Sequence, residues 1–388
     1  MVRYGQYDVP PVDQEVNFKV GQPSPHTLLP LDLVRQAANA KFAETDPKFL
    51  QYGDIPGYLE FRKSLAGFLT EQYGAPVSPD ELMVTNGITG GLALFITIFC
   101  RSGDLVFAED PSYFLALRIF EDFKLNVVQI PMDEDGIIPE ELEKQLQKQV
   151  PKFLYTIPIG HNPTGRTLAE DRRKKIVELA YKYNFVICAD EVYHLLGFPG
   201  VPSPLPMPYY DQKKERVVSL GSFSKILAPA LRLGWMQGPM KILKPIIDCG
   251  QLDSSGGINP VISGIVHQAI DLGLQKKHLA YVQEELHRRC NILMSALDKY
   301  MPAGVTHEVP KGGYFVLVKL PEGMLSTDLL DVAVKNKARF LPGTSFGQGF
   351  GSYLRLSFSY YSAEDIEVGV KRLAEAITQL QNTQANGK

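Results

Sequence analysis

The sequence predicts an α/β protein with a large, mainly parallel sheet domain and a smaller α+β domain after it. Three observations carry that expectation. Between about residues 80 and 240, short β-rich runs alternate with runs of helical period. Strands alternating with helices of that length are joined by right-handed crossovers and pair in parallel. Beyond about residue 280 the texture changes to one charged helix followed by closely spaced strand-like runs. With 388 residues, the chain is also too long for one small core.

Up to about Pro30 the chain is rich in Pro and Gly and reads as an extended arm. Val9-Pro10-Pro11 and Gly21-Gln22-Pro23-Ser24-Pro25 restrict φ and remove backbone donors, so neither suits a helix interior. The first strand is expected over residues 82–84, with Thr85-Asn86-Gly87 turning into a helix from Gly90. A strand over 105–108 precedes a helix from Ser112 towards Phe123. A strand over 152–157 precedes a helix over 167–183, where Leu168, Ile176, Leu179, Ala180 and Tyr183 share one face opposite the charges. Residues 185–189 and 217–220 are further strands. The small domain begins with a helix over 279–300, continues with strands at 313–318, 340–342 and 353–358, and closes with a helix over 363–380.

Composition narrows the function. The chain is 45% hydrophobic and 21% charged, with a net charge of −3. There is no basic excess to recruit phosphate backbones or anionic lipid, so no nucleic-acid or membrane partner is expected. Cys100, Cys188, Cys249 and Cys290 lie far apart, which suits reduced thiols and not a disulfide framework. The longest apolar run, residues 91–100, is far short of the roughly 20 residues that span a bilayer. Residues 1–15 hold one arginine and three acidic residues, which is wrong for a secretory or transit peptide. A cytoplasmic location is expected.

In α/β sheets, ligands collect beyond the carboxyl ends of the strands, and several unusual segments fall at such places. The turn Thr85-Asn86-Gly87-Ile88-Thr89-Gly90-Gly91 opens a helix, where glycines and free N–H groups can receive an anion. It can equally be a structural glycine turn. Tyr113, in Ala108-Glu109-Asp110-Pro111-Ser112-Tyr113, can stack on a flat ring or simply be core. In Ile157-Pro158-Ile159-Gly160-His161-Asn162-Pro163-Thr164-Gly165 the Asn-Pro step fixes the Asn162 amide at a strand end. His161 reads as a turn residue with its own hydrogen bonds and not as a base. Asp190 emerges from an apolar strand with Tyr193 close behind, and a buried carboxylate needs a cationic or donor partner. Ser222-Phe223-Ser224-Lys225, followed by Pro229 and Arg232, carries the strongest signal. Partial desolvation and a cationic neighbour lower a lysine pKa and make a nucleophilic amine. Two other segments read as bland. Asp171-Arg172-Arg173-Lys174-Lys175 is the wet face of a helix. Gly347-Gln348-Gly349-Phe350-Gly351 precedes a strand instead of following one, so it fails as a dinucleotide loop.

Asn162-Pro163-Thr164-Gly165, Asp190 to Tyr193, Ser222 to Lys225 with Arg232, and Arg355 occur in one order along nearly the whole chain. Together they resemble the fold type I aminotransferases that depend on pyridoxal 5′-phosphate (PLP), class I/II. The run from Gly221 to Trp235 is similar to the subgroup of 2-aminoadipate, kynurenine and aromatic aminotransferases. The resemblance implies a seven-stranded, mainly parallel sheet. It implies an arm with part of the small domain in residues 1–45, a PLP-binding domain in 46–279 and a small domain in 280–388. Lys225 would carry PLP as a Schiff base and shuttle the Cα proton. Asp190 would pair with the pyridine nitrogen, Tyr193 and Asn162 with the ring 3-oxygen, and Tyr113 would stack on the ring. The phosphate would lie on Gly87, Ile88 and Thr89, with Ser222, Ser224 and Arg232. Arg355 would clamp the substrate α-carboxylate bidentately, with Gly21 closing over it and Leu28 and Leu29 at an apolar mouth. Tyr52 would reach the phosphate of a neighbouring subunit in a homodimer.

The reaction so implied passes an amino group from an amino acid, with an aromatic, aliphatic or 2-aminoadipate-like side chain, to a 2-oxo acid such as 2-oxoglutarate. Two rivals stand beside it. One is PLP-dependent C–S β-elimination on the same scaffold. The other is the ligand-sensing domain of PLP-binding transcription regulators, disfavoured because the sequence starts directly with the arm and not with a winged-helix DNA reader.

Overall fold

Strands form where apolar, β-prone runs are cut off by Gly, Pro or Asp, and helices fill the longer intervals between them. The computed structural model describes residue 9 and residues 11–386. The opening of the expected arm, with Pro10 of its Pro-Pro step, and the last two residues lie outside the described residues. In chain order the elements are β1 (Val16–Asn17), α1 (Leu31–Phe42), α2 (Leu59–Tyr73), β2 (Leu82–Thr85), α3 (Gly87–Phe99), β3 (Leu105–Asp110) and α4 (Phe114–Asp122). There follow β4 (Asn126–Asp133), β5 (Gly136–Ile137), α5 (Pro139–Leu146), β6 (Phe153–Thr156), α6 (Glu170–Tyr183), β7 (Val186–Asp190), β8 (Val217–Ser222) and β9 (Gly234–Gln237). The remainder comprises α7 (Met240–Ile247), α8 (Gly250–Ser255), α9 (Pro260–Asp271), α10 (Leu274–Tyr300), β10 (Thr306–His307), β11 (Phe315–Lys319), α11 (Ser326–Lys335), β12 (Ala338–Arg339), β13 (Leu341–Pro342), β14 (Tyr353–Ser357) and α12 (Ala363–Asn386).

The main sheet has the order β2-β9-β8-β7-β6-β3-β4-β5. Five strands, β4, β3, β6, β7 and β8, run parallel to one another. Only β9 runs against both of its neighbours, and β5 is a two-residue antiparallel edge on β4. The seven strands implied at the outset are therefore present, with β5 as an eighth. Along each strand, side chains alternate between two cores, as a period of 2 requires. Val106, Phe153 and Val218 pack on one face of the sheet, while Phe107, Leu154 and Val217 pack on the other, with Leu142 of α5 and Ile176 of α6. The common direction of β2, β3, β4, β6, β7 and β8 brings the loops that follow these strands to one edge.

The second sheet, β10-β11-β14-β13, is antiparallel. The N-terminal segment is less extended than its prolines suggested. β1 pairs in parallel with β12, Val16 and Phe18 are buried in the main core, and Leu28 is core as well. Leu28 therefore does not line an open mouth.

Where β2, β8 and β9 meet, three glycines allow the backbone to close up. A Cβ on Gly234 would stand 2.5 Å from the Gly221 carbonyl and 2.8 Å from the Gly87 Cα, with no flexible side chain to give way. Gly234→Ala is expected to cost about 1–3 kcal/mol, the usual penalty of overpacking. A urea-unfolding midpoint equal to that of the parent chain would contradict this.

Candidate active site

The chemistry-bearing side chains gather at the edge where β2, β3, β6, β7 and β8 end. At one end of the cluster, Gly87 opens α3 with φ +71°. Asn86, at the N-cap, offers no side-chain hydrogen bond to the first turn, so its N–H groups can receive an anion. Ile88 turns its side chain to the core and can serve only through its backbone. Ser222 ends β8, and its Oγ lies 2.9 Å from Ser224 Oγ. Arg232, held in the left-handed region at φ +49°, donates to the Pro229 and Asn86 carbonyls at 3.1 Å each. A Cβ on Gly87 would lie 3.0 Å from its Nη2, so glycine lets the guanidinium lie over the turn.

At the other end, Asp190 terminates β7 and is buried. Tyr155, one strand over on β6, donates its phenol to Asp190 Oδ2 at 2.7 Å, and the Val192 N–H donates to Oδ1 at 3.3 Å. Burial pushes the Asp190 carboxyl up to about 6, against those two hydrogen bonds. Between the ends sits Lys225, whose Nζ donates to the Gly21 carbonyl at 2.8 Å and lies 5.3 Å from the centre of the Tyr314 ring. Burial, then the Arg355 charge, lowers the Lys225 ammonium to about 8.

Arg355 projects from the middle of β14 and is only 3% exposed. It donates to Asn162 Oδ1 at 3.0 Å and to the Lys19 carbonyl at 2.7 Å. Its guanidinium lies 4.1 Å from the Phe315 ring centre and 5.5 Å from that of Phe346. Its Nε has no hydrogen-bond partner among the described residues, and burial lowers its pKa to about 10. Among the described residues, no carboxylate forms an ion pair with Arg355 or with Lys225. Tyr193 is buried, 5.5 Å from Tyr314 and 5.8 Å from Phe315 between ring centres. Tyr113 is half-buried, and burial followed by the Asp190 charge raises its phenol to about 12. The arm thus delivers Gly21 and Lys19 onto the lysine and the arginine.

The cluster contains residues that the motifs did not single out. Tyr155 and Tyr314 touch Asp190 and Lys225, and Phe315 lies under Arg355. Their only sequence signals are a strand register and the Gly312-Gly313 pair before β11. Tyr52 is not brought to this cluster; it is 76% exposed. His161 is a buried turn residue whose Nδ1 lies 2.9 Å from Thr164 Oγ1; its Nε2 is 3.1 Å from Glu109 Oε2 but makes no hydrogen bond among the described residues, so the ring is only half satisfied. The charged run on α6 is not all wet face. Arg173 is fully buried and donates to the Leu168, Leu205 and Pro158 carbonyls.

The sequence profile of the family described as aminotransferase class I and II matches residues 13–373. The chain belongs to that family. Aromatic-amino-acid aminotransferase 1 of Thermococcus litoralis is 34% identical over 93% of this chain and 88% of its own length. An uncharacterized HTH-type transcriptional regulator of Bacillus subtilis is 29% identical over 85% of this chain and 67% of its own length. The crystal structure of Pyrococcus horikoshii kynurenine aminotransferase, in complex with PMP, KYN and KYA, superposes with a TM-score of 0.87 at 34% identity. That match covers 95% of this chain and 92% of the other. This class I/II aminotransferase is a PLP enzyme, and the residues present fit the cofactor. An uncapped helix start can take the phosphate, a buried carboxylate can take the ring nitrogen, and an amine of lowered basicity can take the aldehyde.

The lowered basicity of Lys225 is open to direct measurement on the cofactor-free aminotransferase. Its amine should be half-neutral near pH 8, against 10.5 for an ordinary lysine. Rates of trinitrobenzenesulfonate labelling at this residue, followed by peptide mapping, should rise through that midpoint. A midpoint at the ordinary lysine value would refute the reading.

Proposed function

We propose that this aminotransferase moves the amino group of an amino acid with an aromatic, aliphatic or 2-aminoadipate-like side chain to a 2-oxo acid, 2-oxoglutarate being the expected acceptor. One observation carries the reading: among the described residues, Arg355 is buried without an acid partner, beside a lysine of lowered basicity. A buried cation left in that state calls for an anion from outside, and an α-carboxylate supplies one with the geometry that a guanidinium takes bidentately.

When bound, the cofactor supplies a carbonyl carbon that takes the amino group and a ring that accepts electrons from the substrate Cα. Everything else is done by the chain. Ser222, Ser224, Arg232 and the backbone of Gly87, Ile88 and Thr89 hold the phosphate. Asp190 holds a proton on the ring nitrogen. Tyr193 and the Asn162 amide donate to the ring 3-oxygen, and Tyr113 covers a ring face. Arg355 anchors the α-carboxylate with Gly21 above it. Lys225 Nζ, buried and of lowered basicity, would hold the aldehyde carbon of the cofactor and would serve as the base that takes and holds the substrate Cα proton.

In this reading, residues 46–279 form the cofactor domain, 280–388 the small domain, and 1–45 the arm with part of the small domain. The enzyme acts as a cytoplasmic homodimer in which Tyr52 reaches the partner's phosphate site. The exposure of Tyr52 at 76%, with Leu31 at 74% and Leu50 at 61% nearby in sequence, supports a covered surface there.

Two substitutions test the assignment on purified holoenzyme supplied with a panel of amino acids and 2-oxoglutarate. Lys225→Ala should abolish turnover, and retained steady-state transamination would overturn the mechanism. Arg355→Lys keeps the charge but loses the fork, so kcat/KM should fall about 10- to 100-fold, the worth of one or two charge-assisted hydrogen bonds. Release of pyruvate from cysteine conjugates without any acceptor would instead reassign the protein to β-elimination.

A further inference from the structure

Asp190 has been assigned to the ring nitrogen, yet its surroundings oppose its charge. It is 4% exposed at the end of β7, and burial is the largest influence on it. Glu109, from β3, adds like-charge repulsion, while Lys225, beyond β8, attracts it. The other groups that face it are Tyr113 from the loop after β3, Tyr155 from β6, and Cys188, Glu191 and Tyr193 from its own strand and loop. Glu109 gives nothing to Asp190 by way of hydrogen bonds. Its two oxygens accept from Thr156 Oγ1 and the Ile157 N–H. The carboxylate therefore depends on two donors, and the shorter contact by far is the Tyr155 phenol at 2.7 Å, against 3.3 Å for the Val192 N–H.

Sheet geometry explains why a tyrosine at 155 meets an aspartate at 190. Tyr155 is registered opposite Cys188 across β6 and β7. Residues 188 and 190 share a face, so Tyr155 and Asp190 are diagonal neighbours, a spacing that a long aromatic side chain can bridge. The Tyr155 ring is completely buried and is held edge-on by Phe120, with centroids 5.5 Å apart. Its hydroxyl has no freedom to leave.

We propose that Tyr155 is a positioning residue for the cofactor: its phenol orients the Asp190 carboxylate and keeps it ionised, so that the ring nitrogen stays protonated. The inference rests on the assignment of Asp190 made above. Lysine chemistry depends on that proton at a distance, because a charged ring withdraws electrons from the amine conjugated to it. Tyr155 thereby acts on Lys225 through Asp190 without touching it.

The test uses the full chain freed of PLP and reconstituted with it, in four forms: parent, Tyr155→Phe, Asp190→Asn and the double variant. PLP dissociation constants and the pH midpoint of the bound cofactor's visible band are measured for each. Tyr155→Phe should weaken PLP binding about tenfold, the worth of one hydrogen bond to a charged group, and raise the midpoint towards that of Asp190→Asn. In the Asp190→Asn background the tyrosine substitution should add nothing, since the charge it serves is gone. An unmoved midpoint in Tyr155→Phe, or effects that add in the double variant, would overturn the proposal and leave a packing role. Asp190→Asn with parental affinity and midpoint would instead overturn the assignment of Asp190 itself. Tyr155→His, which keeps a donor on the same face, serves as the second variant. It should recover part of the parental midpoint, and no recovery counts against the proposal.

Discussion

Arg355 stands in the middle of β14 with its guanidinium almost wholly removed from water and, among the described residues, no acid paired with it. The cost of such burial runs to several kcal/mol per ion after relaxation, and the structure offsets only part of it. Two neutral oxygens and two aromatic faces attend the guanidinium, and one nitrogen is left with no hydrogen-bond partner among the described residues. Those attendants come from the arm, the β6–α6 loop, β11 and the loop before β14. The requirement to surround one unpaired cation therefore accounts for the folding-back of the N-terminal segment, the tight Asn-Pro turn and the glycines that admit Phe315. A Cβ on Gly21, for example, would meet the Phe315 ring at 2.8 Å.

The same environment acts oppositely on the two reactive groups. Burial raises the acid at 190 and lowers the amine at 225, bringing both nearer neutral pH than free side chains would be. Burial is the largest cause of both shifts, and the Arg355 charge adds to that of Lys225. Asp190 is the last residue of β7 and Lys225 lies in the turn just beyond β8, both beneath covered faces of the sheet.

Much of this was legible in the sequence because it is local. The strand–turn–helix signature around Gly87, the Asn-Pro turn and the Ser-x-Ser-Lys run each announce themselves within ten residues. The parts that stayed hidden are those set by register and topology. β4 carries Pro131 and a polar edge, and β9 is four residues broken by a glycine at its start, so neither has a clear period. Tyr155 reads as one more aromatic in a buried strand until the pairing of β6 with β7 sets it beside Asp190. Arg173 reads as surface charge in a helical run, because nothing local reveals that three carbonyls converge on it. Tyr314 and Phe315 look like ordinary strand residues, and only the antiparallel pairing of β11 with β14 places them under the lysine and the arginine.

The bonds that assemble the site also span the chain. Lys225 meets Gly21 across 204 positions, Arg355 meets Asn162 across 193, and Arg355 meets Lys19 across 336. Closing loops of that length comes late in folding, since their entropy must be lost before any contact is gained. A nascent or half-folded chain therefore has neither the seat for a carboxylate nor the joined phosphate site, where Arg232 meets Asn86 across 146 positions. Tight association with the cofactor becomes a report on the finished chain, and by mass action it stabilises only that state.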